Sequence, residues 1–148
     1  MKTAILMMAV MFVLSCNSTS PDSTGQQNNA SIPKTQSDSL YQSAMEGHDL
    51  GMAKMGEIAR YQQLIKQRTD SLAALKNKAA LLPALDSALE ALTHAEELMN
   101  RWRQDFDPDN AGSTEAEKVS FYRSEKEKID TVNARIFKSL EKAKQVVE

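Results

Sequence analysis

The sequence predicts an all-α chain: an antiparallel three-helix bundle, or a long helical hairpin plus a third helix, preceded by a signal peptide and a disordered tether. Three observations predict it. Apolar residues recur at steps of three and four through most of residues 40–147. From Leu40 to Lys78 there is neither proline nor the period-two alternation of a half-buried strand. Turn formers fall between the periodic segments, at Pro83 and over residues 107–112. The organisation read from these signals is a signal peptide at 1–15, a lipidated cysteine and flexible tether at 16–37, and a helical domain at 38–148.

The N-terminus carries Lys2, an unbroken apolar run over residues 4–14, and then Ser15 and Cys16. One positive charge, a short apolar run and a small residue before the cut make the layout of an export signal. The run is too short to span a bilayer, which takes roughly 20 apolar residues. The single cysteine of the chain closes Val13, Leu14, Ser15 and Cys16, the position of a lipobox. Leu14 is bulkier than the residue usually found there. An unpaired cysteine in an exported protein calls for a reason. Acylation of Cys16, with palmitate-like chains, supplies one, because two or three chains anchor stably where one does not. The alternative is a non-lipidated signal with a stray thiol.

Residues 17–37 are Ser, Thr, Asn, Gln and Pro with almost no apolar content, the composition of a flexible tether. Asn17 and Asn29 match the glycosylation pattern, a chance match in an Asn- and Ser-rich stretch. The chain's net charge is −2 with both signs interleaved. No basic patch with interleaved aromatics occurs, so nucleic acid is not an expected partner.

The first helix is expected from Leu40 toward Lys78, on a stripe through Met45, His48, Met52, Met55, Ala59, Gln62, Ile65, Thr69, Leu72 and Leu75. Ser39 and Gln42 have the spacing of a capping box. Pro83 suits the first turn of a second helix, whose stripe runs through Leu85, Ala88, Leu92, Ala95, Met99, Trp102 and Phe106. The third opens at Thr114 and Glu117, another capping box, and its stripe holds Tyr122, Ile129, Val132, Ile136, Leu140, Ala143 and Val147. Glu125, Lys126, Glu127 and Lys128 are expected on its outer faces.

No nucleophile with its base, no pair of carboxylates set for acid–base work and no phosphate loop stands out, so no enzyme is expected. His94, four residues after Glu90, reads as a surface contact. Asp105, Asp107 and Asp109 begin like a calcium loop. Pro108, Asn110 and Ala116 then break the pattern, and a solvated acidic turn explains them better.

The stretch 47–56 is harder to set aside. Three of five glycines fall there, each weakening a helix by roughly 1 kcal/mol relative to alanine. A repeated local penalty in one place marks a functional site or a close helix contact. His48, Met52 and Met55 share one helix face. A hairpin turning near residues 79–82 sets Met55 level with Trp102, one turn from Met99, at the end of the bundle nearest the tether. His48, Met52, Met55, Met99 and Trp102 together suit Cu(I) or Ag(I), since thioether and imidazole favour soft ions and an indole face attracts a cation. The competing reading is that the methionines and Trp102 fill core space.

The pairing of His48, Asp49, Met52, Lys54, Met55 and Gly56 with Met99, Trp102, Phe106, Asp107 and Pro108 resembles a group of small helical lipoproteins of Bacteroidetes. Some of them bear the label "viral A-type inclusion protein", which carries no functional weight. The resemblance covers most of residues 40–147. Proline is common in that group where this chain has Ala53, and a second methionine where it has Arg103. If thioethers bind a metal in the group, Arg103 marks a donor lost here. The resemblance implies a place in the cell envelope and no mechanism.

Two functions are therefore expected. One is a lipid-anchored envelope module, bound to a membrane through Cys16 and docking on a protein partner or on another copy of itself. The other is a Cu(I)- or Ag(I)-binding lipoprotein. Asn17 stands where an aspartate retains some lipoproteins at the inner membrane, which leans toward the outer one.

Overall fold

A chain with this periodicity must bury its apolar stripes against one another, and the way it does so is seen in a computed structural model that describes residues 34–73 and 79–147. Four α-helices and two 3-10 turns follow in order. They are α1 (Gln36–Met52), α2 (Met55–Ala73), a turn at Ala79–Leu81, α3 (Leu82–Asp105), a turn at Pro108–Ala111 and α4 (Glu115–Val147). α1 and α2 are limbs of one bent rod, so three rods pack into an all-α bundle. No described residue lies in a strand, and no described helix is long and apolar enough to cross a membrane. The signal at 1–15, Cys16 and residues 17–33 lie outside the described residues.

Side-chain pairings fix the directions. Ser37 meets Glu115, Gly47 meets Asn133 and Arg68 reaches the carbonyl of Val147, so the bent rod runs parallel to α4. Gln62 meets Glu96, and Lys142 meets Ser87, so α3 runs against both. α1 lies chiefly on α4, whereas α2 packs on α3 and α4 together.

The boundaries have local causes. α1 starts earlier than its apolar stripe suggests, at a capping box of Thr35 and Asp38 in place of Ser39 and Gln42. The Asp38 N–H donates to Thr35 Oγ1 at 3.1 Å, and the Thr35 N–H donates to Asp38 at 3.2 Å. Ser37, expected in the tether, is buried. The rod bends at Ala53 and Lys54, where the Lys54 N–H turns to Gly51 O, an i→i+3 bond in place of the α-helical pattern. Pro83 sits in the first turn of α3, where its missing N–H costs nothing. Thr114 and Glu117 form the capping box that opens α4. Before them Gly112 has φ +83°, a conformation glycine adopts without strain.

The stripe of α3 is buried from Leu85 to Trp102 as expected, with Phe106 half-buried past its end. α4 buries Ile129, Val132, Ile136, Leu140 and Ala143, also as expected. It buries Glu125, Asn133 and Ser139 besides, so Glu125 belongs to an inner face and not an outer one.

The first rod departs most from its stripe. Its buried positions are Ser37 at the capped start, Ala44 and Gly51, then Ile58, Tyr61, Ile65 and Leu72. Met45, Met52 and Met55 are half-buried beside them, and Ala59 is exposed. A stripe traced through the larger apolar side chains cannot see that the innermost face of α1 is made of alanine and glycine.

Candidate functional site

The site grows from two glycines four residues apart. A Cβ on Gly47 would stand 2.9 Å from Ile129 Cγ2, and one on Gly51 would collide with Met99 Cε and Asn133 Oδ1. Their absence lets the backbone of α1 settle onto α4. Gly56 is different: nothing stands within 4 Å of a Cβ built there.

Asn133 joins the two helices beside the glycines. Its amide Nδ2 donates to the carbonyl oxygen of Gly47 at 2.8 Å, and the side chain is almost fully buried. Its Oδ1 is buried and has no hydrogen-bond partner among the described residues, and the same holds for the indole Nε1 of Trp102. Burying an unpaired polar atom costs about 1–3 kcal/mol. The first rod therefore holds its place on α4 against that penalty.

With Gly47 pressed on α4, the next residue, His48, is directed at α3. Its imidazole stacks on the indole of Trp102, with 5.5 Å between centroids and 30° between planes. His48 Nδ1 lies 3.0 Å from Asp49 Oδ1. A carboxylate can only accept, so in the neutral ring Nδ1 carries the hydrogen and Nε2 keeps its lone pair.

Trp102 also stacks on Phe106, at 4.8 Å and 22°. From there the rings continue to Tyr41 and Phe121, and Tyr122 closes the group by edge contacts of 5.3 Å with both. Burial pushes the Tyr122 phenol above its ordinary range, and the neighbouring Tyr41 adds to that.

Of the residues singled out in the sequence, His48 and Trp102 are in ring contact. Met99 packs against Gly51 of the same helix that carries His48. Met99 is wholly buried, whereas Met52 and Met55 are half-buried at the edge of the core. The register differs from the one expected. Gln62 meets Glu96 as a straight hairpin requires, but His48, and not Met55, meets Trp102. The group consequently lies level with residues 129–136 near the middle of α4, about three helical turns from the start of α1. The bend at Ala53 and Lys54 lies between the two pairings, where the register changes.

Two other sets resolve into ordinary structure. Asp107 is the cap of the turn at Pro108–Ala111: its Oδ1 accepts from the Asp109 N–H at 3.0 Å and its Oδ2 from Asn110 Nδ2 at 3.2 Å. His94 and Glu90 are exposed on the outer side of α3. No three His, Cys, Asp or Glu among the described residues come together as a metal cluster.

Sequence reasoning missed Asn133, gave Asp49 no role beside His48 and set Glu125 on an outer face. Glu125 is buried against Lys128 at 2.6 Å, beside a groove between α3 and α4 lined by Leu98, Trp102 and Val132. The available signal for Asn133 was its place between Ile129 and Ile136 on the apolar stripe of α4. No protein-family model, no curated protein and no solved structure matches the chain.

Proposed function

We propose that this chain is a lipid-anchored, non-catalytic module of a bacterial cell envelope, held to a membrane by an acylated Cys16 and acting by contact with a protein partner or a second copy. The observation that carries the reading is the single cysteine at the end of the apolar run 4–14, followed by polar chain up to the capped start of α1. A helical domain joined by a short polar segment to an acyl anchor stays at the membrane face, where weak contacts gain effective concentration.

The contact face is argued from α1 and α4. Leu50 is 50% exposed and Phe137 is 42% exposed. Leu50 immediately precedes Gly51, and Phe137 immediately follows Ile136, which with Asn133 faces Gly51 from α4. Large apolar side chains left in water beside a tight helix pair suit a partner surface.

The test has two parts. Mass spectrometry of the protein from its native membrane should find an acylated residue 16, and Cys16→Ser should move the chain out of the membrane fraction. An unmodified thiol overturns the anchor. Sedimentation of the mature protein, alone and after cross-linking in cells, should show self-association or one recurrent partner. Phe137→Ser should weaken that association.

A further inference from the structure

The donors at the bend of the first rod go beyond a docking role. We infer that His48, Met52 and Met55 form a binding site for a soft monovalent cation, Cu(I) or Ag(I), flanked by the indole of Trp102.

Four observations converge. His48 Nε2 keeps a free lone pair because Nδ1 faces the Asp49 carboxylate. A carboxylate on the far nitrogen of an imidazole is the arrangement that orients ligating histidines and raises their basicity. Met52 stands one turn after His48 on the same face of α1. The i→i+3 bond from Lys54 N–H to Gly51 O closes the turn between Met52, the last residue of α1, and Met55, the first of α2, so the two thioethers bracket the bend. Met52 and Met55 are half-buried residues packed at the edge of the core, neither sealed inside it nor fully in water.

The chemistry of the set selects the ion. Two thioethers and an imidazole suit Cu(I) and Ag(I), whereas zinc would draw on thiolates and carboxylates. The Trp102 ring lies alongside the imidazole, where its quadrupole acts on a cation held by His48. Met99 is not a ligand. It is wholly buried and occupies the space opposite Gly51, which makes it a packing residue.

The experiment uses the full chain with Cys16→Ser in detergent micelles, so that no thiol is present, with methionine methyl groups labelled with carbon-13 and silver nitrate as the probe. Trp102 is the chain's only tryptophan, so its fluorescence reports the surroundings of that one ring. Silver should quench it with saturation near one equivalent and shift the methyl resonances of Met52 and Met55, leaving Met99 in place. Met52→Leu and Met55→Leu conserve volume, and each should weaken binding by about tenfold or more, on the scale by which altered metal shells lose affinity. Met99→Leu should bind as the wild type does. Unmoved Met52 and Met55 methyl resonances in excess silver overturn the site. So does equal quenching in the Met52→Leu, Met55→Leu double variant, provided its circular dichroism matches the wild type. Loss of acylation at Cys16 would leave this result untouched, so the two readings fail separately.

Discussion

At the scale of single residues the two glycines of α1 and the asparagine of α4 work as one unit, and two substitutions separate their roles. Gly51→Ala adds a methyl group where Met99 Cε and Asn133 Oδ1 already stand. The core must shift to admit it, at about 1–3 kcal/mol, read as a lower denaturant midpoint at unchanged slope. Gly56→Ala meets nothing within 4 Å and lies in a helix. It should raise stability by about 0.4–1 kcal/mol by restricting the unfolded chain. Asn133→Ala removes the donor to Gly47 O and should cost about 1–3 kcal/mol. Combined with Gly51→Ala it should cost less than the two added together, because the space vacated by the amide admits part of the new methyl group. Strict additivity in a double-mutant cycle would refute the shared contact.

At the scale of elements, the ends of α1 and α4 are held by carboxylates in an arrangement that makes stability depend on pH. Glu115 accepts from the Ser37 N–H at 2.9 Å and from the Ser37 hydroxyl at 2.8 Å, so the first turn of α1 is pinned to the first turn of α4. Those two bonds hold the Glu115 carboxyl below the ordinary glutamate range, the backbone bond contributing most. The Thr114 N–H and hydroxyl, with the Ser113 N–H, do the same for Glu117. Glu57, bonded to Lys54 and Lys144, is lowered mainly by Lys54. A carboxyl whose folded pKa is depressed stabilises the fold above its unfolded pKa of about 4.3 and loses that contribution as pH falls through the folded value. The denaturation midpoint should therefore fall steadily below about pH 4.3. Glu115→Gln should flatten part of that slope and speed hydrogen exchange at the Ser37 amide.

The elements also show what the sequence made legible. α3 was readable because Leu85, Leu92, Met99 and Trp102 mark its buried face, with Ala88 and Ala95 falling in step between them. The face of α1 was not, because it is buried through Ala44 and Gly51, residues that carry almost no hydrophobic signal. The site was readable in composition but misplaced along the bundle. A two-residue bend sets which residue of the rod meets Trp102, and no periodicity reports an i→i+3 bond.

At the scale of the whole molecule, α4 is the element that makes the bundle one cooperative unit. It packs against α1, α2 and α3 and against the turn at Pro108–Ala111, whereas α1 touches α3 only lightly. The two limbs of the first rod thus communicate through α4 more than through their shared bend. Polar ties reinforce this along its whole length: Glu115 to Ser37, Asn133 to Gly47, Lys142 to Ser87, Lys144 to Glu57 and the Val147 carbonyl to Arg68. No limb can leave without exposing part of the single cluster that joins Ala44, Ile65, Leu92 and Ile136. Two-state unfolding follows, the usual behaviour of single domains under 150 residues. The expected result is that Trp102 fluorescence and far-ultraviolet circular dichroism trace one coincident transition in urea, even though Trp102 reports only its own surroundings, against His48 and Phe106 and beside Val132. Ile136→Ala, at the centre of α4 and fully buried, should lower both midpoints together, by about 2–5 kcal/mol. A fluorescence transition that precedes the loss of helix would show that α1 detaches alone and that the bend, and not α4, sets the cooperative boundary.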